Sequence, residues 1–225
     1  GKRVGVIGTG ATGVQLITEI AKEVSHLTVF QRTANYCAPL RNGFIDDETQ
    51  RMIKGSYPEI FQKCNETPAS FIHESDPRSA LAVSPKERLE QYERLWAEPG
   101  FKKWLSNFYD VMTPGEANED YAEFVRNKIR ERVKDPVVAE KLVPKDHMFG
   151  SKRLPCESGY YEVYNQDNVL LVDVKKAPIE RITPQGVKTA EAEYELDVVI
   201  FATGFDAVTG PLIRMDIRGE GGLTL

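Results

Sequence analysis

The chain has 225 residues, 41% hydrophobic and 28% charged, a balance that suits one large globular domain or two small ones. Its 29 basic and 34 acidic residues leave a formal net charge of −5, without the cationic excess that nucleic-acid binding demands. The longest wholly apolar run, Val198 to Ala202, is far too short to span a bilayer, so neither nucleic acid nor membrane is an expected partner.

Val4-Gly5-Val6-Ile7 reads as a strand that runs straight into Gly8-Thr9-Gly10-Ala11-Thr12-Gly13 and then into a helix. A G-x-G-x-x-G pattern alone is weak, but between a strand and a helix it is a dinucleotide-binding fingerprint. Gly8 suits the tight turn, Gly10 lets the backbone approach a pyrophosphate, and Gly13 lets helix and strand pack closely. The free N–H groups and partial positive charge of the helix N-terminus would face the phosphates. The helix is expected over about Ala11 to Val24, with Val14, Ile17, Ile20 and Ala21 spaced for burial.

His26-Leu27-Thr28-Val29-Phe30 reads as the second strand, followed by Gln31-Arg32-Thr33. An NAD site places an acid near this strand end to accept the ribose 2′-OH. Here Arg32 stands 19 residues after Gly13 with no acid nearby, and a guanidinium suits a 2′-phosphate better than a hydroxyl. NADPH is the expected nucleotide.

Residues 1–43 are therefore read as the first part of the nucleotide domain, closing in a turn at Arg41-Asn42-Gly43. Residues 44–148 are charged and helix-favouring, and read as a mainly α-helical insertion. Asp46-Asp47-Glu48 suits a helix start, with Met52, Ile53, Tyr57, Ile60 and Phe61 as apolar contacts and Pro58 as a break or kink. Ser84-Pro85-Lys86-Glu87 has the form of a capping box, leading into a Leu89, Tyr92, Trp96 stripe. Ala122, Val125, Ile129 and Val133 form a second stripe, and Asp135-Pro136 opens a short helix ending near Leu142.

Residues 149–204 return to strand texture and read as the second part of the nucleotide domain. Asn168 to Val172 is a strand, and Ile179 to Thr189 a hairpin turning at Pro184-Gln185-Gly186. Asp197 to Ala202 reads as a buried parallel strand that delivers Thr203-Gly204-Phe205-Asp206 at its C-terminal end. The expected fold is α/β: a Rossmann-like three-layer dinucleotide-binding domain carrying a mainly helical insertion. Cys37, Cys64 and Cys156 are widely spaced and form no C-x-x-C pair, which points to reduced thiols and a cytoplasmic setting. Cys156 comes nearest to a nucleophile, though none is expected, and His26, His73 and His147 share no ligand spacing, so no metal is expected.

Gly1 to Gly10, Thr28 to Thr33, Lys152-Arg153-Leu154-Pro155-Cys156, Gly159-Tyr160-Tyr161-Glu162-Val163-Tyr164-Asn165 and Phe201 to Ala207 together resemble a Baeyer–Villiger monooxygenase. The cyclohexanone monooxygenase group is the nearest match, and the resemblance runs in order over essentially the whole chain. It implies a flavoprotein that uses NADPH, FAD and O2 to convert cyclic and other ketones to esters or lactones. Its implied cofactor-binding set is Gly8, Thr9, Gly10, Ala11, Thr12, Gly13, Gln15, Arg32, Thr33, Lys152, Ala202, Thr203 and Gly204. Within that set Arg32 and Thr33 match residues that bind the 2′-phosphate, and Lys152 matches a lysine that supports it. Arg153 matches the catalytic arginine, a fixed cation for negative charge developing during oxygen transfer.

The departures from the family pattern bear on competence. No second G-x-G-x-x-G is present, and the F-x-G-x-x-x-H-x-x-x-W/D signature has no counterpart. The flavin domain's aspartate and the substrate loop likewise have none. The chain is thus expected to be a piece of a longer protein, with 205–225 returning towards an FAD domain outside it, and to bind NADPH without turning over ketones. The alternatives are the NADPH domain of an N- or S-oxygenating flavin monooxygenase, or a stand-alone, non-catalytic NADPH-binding module.

Overall fold

A computed structural model describes residues 1–67, 70–205 and 209–224. The chain opens with β1 (Arg3–Ile7), α1 (Ala11–Ile20) and β2 (His26–Gln31), followed by the two-residue strand β3 (Ala38–Pro39). Helices α2 (Asp47–Gly55), α3 (Tyr57–Glu66), α4 (Pro85–Ala97), α5 (Lys102–Leu105), α6 (Glu116–Arg132) and α7 (Pro136–Leu142) come next. Then come β4 (Cys156–Glu157), α8 (Tyr160–Val163), β5 (Val169–Asp173), β6 (Ile179–Thr183), β7 (Gly186–Thr189), β8 (Glu193–Glu195), β9 (Val198–Phe201) and α9 (Gly210–Arg214).

A parallel sheet ordered β5-β2-β1-β9 forms the middle of three layers. Strand alternation sends Val4, Val6, Leu27, Val29 and Leu171 to one face, where they pack with Val14 and Ile17 of α1 and with Tyr160 and Tyr161 of α8. The other face, including Phe30 and Val172, meets Val187 of the antiparallel β6-β7-β8 sheet, with the Phe30 and Tyr194 rings edge to face at 5.3 Å. The β6–β7 hairpin turns where its sequence indicates, and α1 ends at Ile20 with Ala21 as its cap rather than running on to Val24.

A second core joins the helical region to the segments flanking it. Tyr92, Trp96, Phe108, Tyr121, Ala122, Val125, Phe149 and Leu154 pack around Tyr36 and Ala38. The α6 stripe is as expected: Ala122, Val125 and Ile129 are buried, and Val133 closes it. Asp135 caps α7 by accepting N–H bonds from Val137 and Val138, and Asp46 caps α2 through Thr49 N at 2.7 Å.

Three expectations need correction. Helices α2 and α3 break at Ser56, with Pro58 in the first turn of α3, but they bury no residue. Met52, Ile53, Tyr57 and Phe61 are exposed, because this helix pair lies outside the core that the later helices build. In α4 the buried stripe is Tyr92, Leu95 and Trp96, while Leu89 is 52% exposed. Ser84 accepts from Glu87 N at 3.2 Å, but the Glu87 carboxylate reaches Arg78 at 2.6 Å, and only this half of the box is bonded. Finally, β9 pairs with β1 alone among the described residues, so it is an edge strand, and Val198 (42%) and Phe201 (62%) are exposed.

Lys103 is buried completely, its ammonium donating to Pro39 O (2.8 Å), Glu98 O (2.7 Å) and Gly100 O (2.9 Å). Burial pulls its pKa down, while the three carbonyls complete the donor geometry of the charged form. Lys103→Met strands those acceptors and is expected to cost about 3 kcal/mol in urea unfolding. A loss under about 1 kcal/mol would contradict the clamp role.

Candidate functional site

The C-terminal ends of β1, β2 and β9 converge on the glycine turn, as the sites of open α/β sheets do. Gly8 N donates to Phe30 O at 3.0 Å, Ala202 N to Ile7 O at 2.9 Å, and Thr9 Oγ1 to Thr33 O at 3.0 Å. Gly8 has φ +109°, and a Cβ there would lie 2.4 Å from Ala202 O. A Cβ on Gly13 would lie 2.3 Å from Gly8 O, so α1 sits against the turn at a spacing that only glycine permits. Around Gly10 there is open space instead, with no atom within 4 Å of an added Cβ.

Gly10 is the N-cap of α1 and supplies no side-chain hydrogen bond, and the first turn carries no acid. The N–H groups of Ala11, Thr12 and Gly13 lack intrahelical partners by position, and nothing negative opposes the helix dipole. Gly13→Ala is expected to drive α1 off the turn, weakening nucleotide binding more than tenfold and costing about 1–3 kcal/mol of stability. Titration and a thermal melt would check this; unchanged binding would mean that the close packing is dispensable.

A cavity of about 470 Å³ opens beside this turn. Nine of the thirteen cofactor residues named from sequence line it: Gly8, Thr9, Gly10, Arg32, Thr33, Lys152, Ala202, Thr203 and Gly204. The other four, Ala11, Thr12, Gly13 and Gln15, belong to α1 and do not line it: Gly13 is buried under the turn, while Thr12 and Gln15 are exposed. Arg153 is exposed and also outside the cavity wall, and Asp206 and Ala207 lie outside the described residues. Arg32 and Lys152 meet no carboxylate among the described residues.

Sequence reasoning missed the apolar wall. Ile7, Phe30, Val174, Pro178 and Ile179 also line the cavity, and Phe30 and Val174 pack into the core shared with the antiparallel sheet. The available signal was positional: Ile7 ends β1, Phe30 is the last residue but one of β2 and Val174 follows β5, so each falls at the carboxyl edge of the sheet. A second cavity, of about 580 Å³, shares Arg32, Thr33 and Ala34 with the first, and its wall mixes Lys141, Lys145, Lys175 and Lys176 with Glu140, Asp146 and Asp173. Cys156 is no poised nucleophile: burial pushes its thiol up, against the opposing pull of Lys103 and Arg153.

Over all 225 of its residues the chain is 54% identical to the 2-oxo-Δ3-4,5,5-trimethylcyclopentenylacetyl-CoA monooxygenase of Pseudomonas putida, covering 41% of that protein. A Baeyer–Villiger monooxygenase of Pseudooceanicola batsensis is 47% identical over 226 residues, again with all of the chain and 41% of the relative aligned. By sequence, the chain is similar to about two fifths of the Baeyer–Villiger monooxygenases. The crystal structure of OTEMO in complex with FAD and NADP superposes on it with a TM-score of 0.97 at 54% identity, over 100% of this chain and 42% of that one. A phenazine N-monooxygenase of Lysobacter antibioticus is 41% identical over the whole chain and 42% of its own length. The chain thus spans about two fifths of the Baeyer–Villiger monooxygenases and related enzymes it matches. No protein-family model matches it. Among the described residues no helix is long and apolar enough to cross a membrane.

Proposed function

We propose that this chain is the NADPH-binding portion of a cytoplasmic, flavin-dependent Baeyer–Villiger monooxygenase that converts ketones, cyclic ones included, to esters or lactones with O2 and NADPH. The observation that carries the reading is the pairing of an acid-free glycine turn with two cations, Arg32 and Lys152, in one cavity wall. The helix N-terminus and Gly10 take the pyrophosphate. Arg32 and Thr33 take the 2′-phosphate, with Lys152 as a second positive charge. The apolar faces of Phe30, Val174 and Pro178 suit an adenine ring, and Ala202, Thr203 and Gly204 also line the cavity.

NADPH, when bound, supplies a hydride. The residues of this chain orient it and fix its register, and Arg153 provides a cation for negative charge on the oxygen that attacks the ketone. FAD, O2 and the ketone belong to the longer protein, so residues 1–43 and 149–204 bind the nucleotide, 44–148 is the insertion, and the chain alone does not oxygenate. Identity to a phenazine N-monooxygenase favours one second reading, an amine-oxygenating enzyme on the same plan.

Calorimetric titration of the 225-residue chain with NADPH and NADH tests the binding reading. Micromolar NADPH binding with NADH at least tenfold weaker is expected; equal affinities would overturn the 2′-phosphate assignment. In a protein that also carries the flavin-binding sequence, lactone formation from cyclohexanone against N-oxidation of a phenazine separates the two reactions.

A further inference from the structure

Lys152 and Arg153 lie on a short exposed span whose two ends are buried. On one side Phe149 is 1% exposed, its ring edge to face with Tyr36 at 5.4 Å and with Tyr121 at 4.9 Å. On the other, Leu154 is buried and Pro155 O accepts from Ala38 N at 3.0 Å. Between these anchors the chain turns at Met148–Ser151, where Met148 O accepts from both Ser151 N and Ser151 Oγ.

What holds the first anchor comes from the helical region. Asn118, in the first turn of α6, is buried, and its Nδ2 donates to Phe149 O at 2.9 Å and to Val111 O at 2.6 Å. Among the described residues no backbone N–H is bonded to Phe149 O, so the Asn118 amide alone satisfies that carbonyl. The next residue, Gly150, has φ +82°, and a Cβ there would lie 2.5 Å from Met112 Cε. A buried side-chain amide and a glycine-only backbone thus specify the path of the chain two residues before the cavity cation. A long lysine side chain without a carboxylate partner depends for its position on the backbone that carries it.

We propose that Asn118 and Gly150 are positioning residues for Lys152, so that the helical region sets the selectivity of the nucleotide site for a 2′-phosphate. The proposal rests on the NADPH reading above. It makes the helical region a part of the cofactor site, although no residue of α6 lines the cavity.

The test measures NADPH and NADH affinities of the 225-residue chain for Lys152→Ala, Asn118→Ala, Gly150→Ala and the Lys152→Ala/Asn118→Ala double variant, each with a thermal melt. Lys152→Ala is expected to weaken NADPH about tenfold and NADH less than twofold, as loss of one charge-assisted contact does. Asn118→Ala should reproduce most of that loss on NADPH and spare NADH. In the Lys152→Ala background it should change NADPH affinity less than twofold, since the two act through one contact. Gly150→Ala shifts the same backbone without touching the amide, and should give the same selective loss if Asn118→Ala fails to fold.

Equal weakening of both nucleotides by Asn118→Ala and Gly150→Ala would show a merely structural role and overturn the proposal, as would no effect of either. If Lys152→Ala leaves the NADPH to NADH ratio unchanged, the fault lies in the assignment of Lys152, and the proposal falls with it.

Discussion

Replacing Arg32 by alanine is expected to weaken NADPH binding by about 2 kcal/mol, some 30-fold, while changing NADH affinity less than twofold. Arg32 stands at the end of β2, lines the cavity and meets no carboxylate among the described residues, so its charge is open to a ligand. A guanidinium gives a phosphate dianion paired N–H donors, whereas a 2′-hydroxyl offers it one neutral oxygen. Arg32→Lys keeps the charge but loses the fork, and should fall between wild type and Arg32→Ala. The check is a pair of calorimetric titrations for each variant. A parallel loss for both nucleotides would place Arg32 at the pyrophosphate instead.

The second large effect concerns stability. Arg132, the last residue of α6, binds Glu157 through two bonds of 2.7 and 3.0 Å and Glu162 through two of 2.6 Å, and lies 5.1 Å from the Tyr161 ring centre. The Glu157 side chain is fully buried, and its Oε2 also accepts from Gly159 N and Tyr160 N at the start of α8. Arg132→Leu leaves that carboxylate buried without its counter-charge, at an expected cost of about 3–5 kcal/mol. Urea unfolding of Arg132→Leu beside the wild type measures this cost. A deficit under about 1 kcal/mol would show that water or another cation replaces the guanidinium.

These two residues mark what was and was not legible in the sequence. The place of Arg32 in the cavity wall could be read because the signal is local: a strand end, a fixed distance from the glycines, and no acid. The Gly8 to Gly13 turn, the α6 stripe and the β6–β7 hairpin were legible for the same reason, since short-range geometry decides them. The Arg132–Glu157 pair joins positions 25 residues apart through tertiary packing, and no spacing rule reveals it. The surface of α2 and α3 was misread because apolar residues at helical spacing show which face could be buried, not whether anything covers it. Leu89 and Leu95 exchanged places for a related reason: both fit the α4 periodicity, and only the tertiary fold decides that Leu95 is buried and Leu89 exposed. The apolar cavity wall stayed hidden because Val174, Pro178 and Ile179 come from a loop and hairpin whose approach to the glycine turn is set by the sheet order β5-β2-β1-β9.

The cavity cations make their most direct prediction about the ligand itself. The 2′-phosphate of NADP+ has a second ionisation near pH 6, and neighbouring cations favour its dianion. A phosphorus NMR titration of NADP+ bound to the chain should therefore find this group ionising below its free-solution pKa, with the shift reduced in Arg32→Ala and in Lys152→Ala. A bound 2′-phosphate that ionises as it does in free solution would contradict the assignment of Arg32 and Lys152 as its binding site.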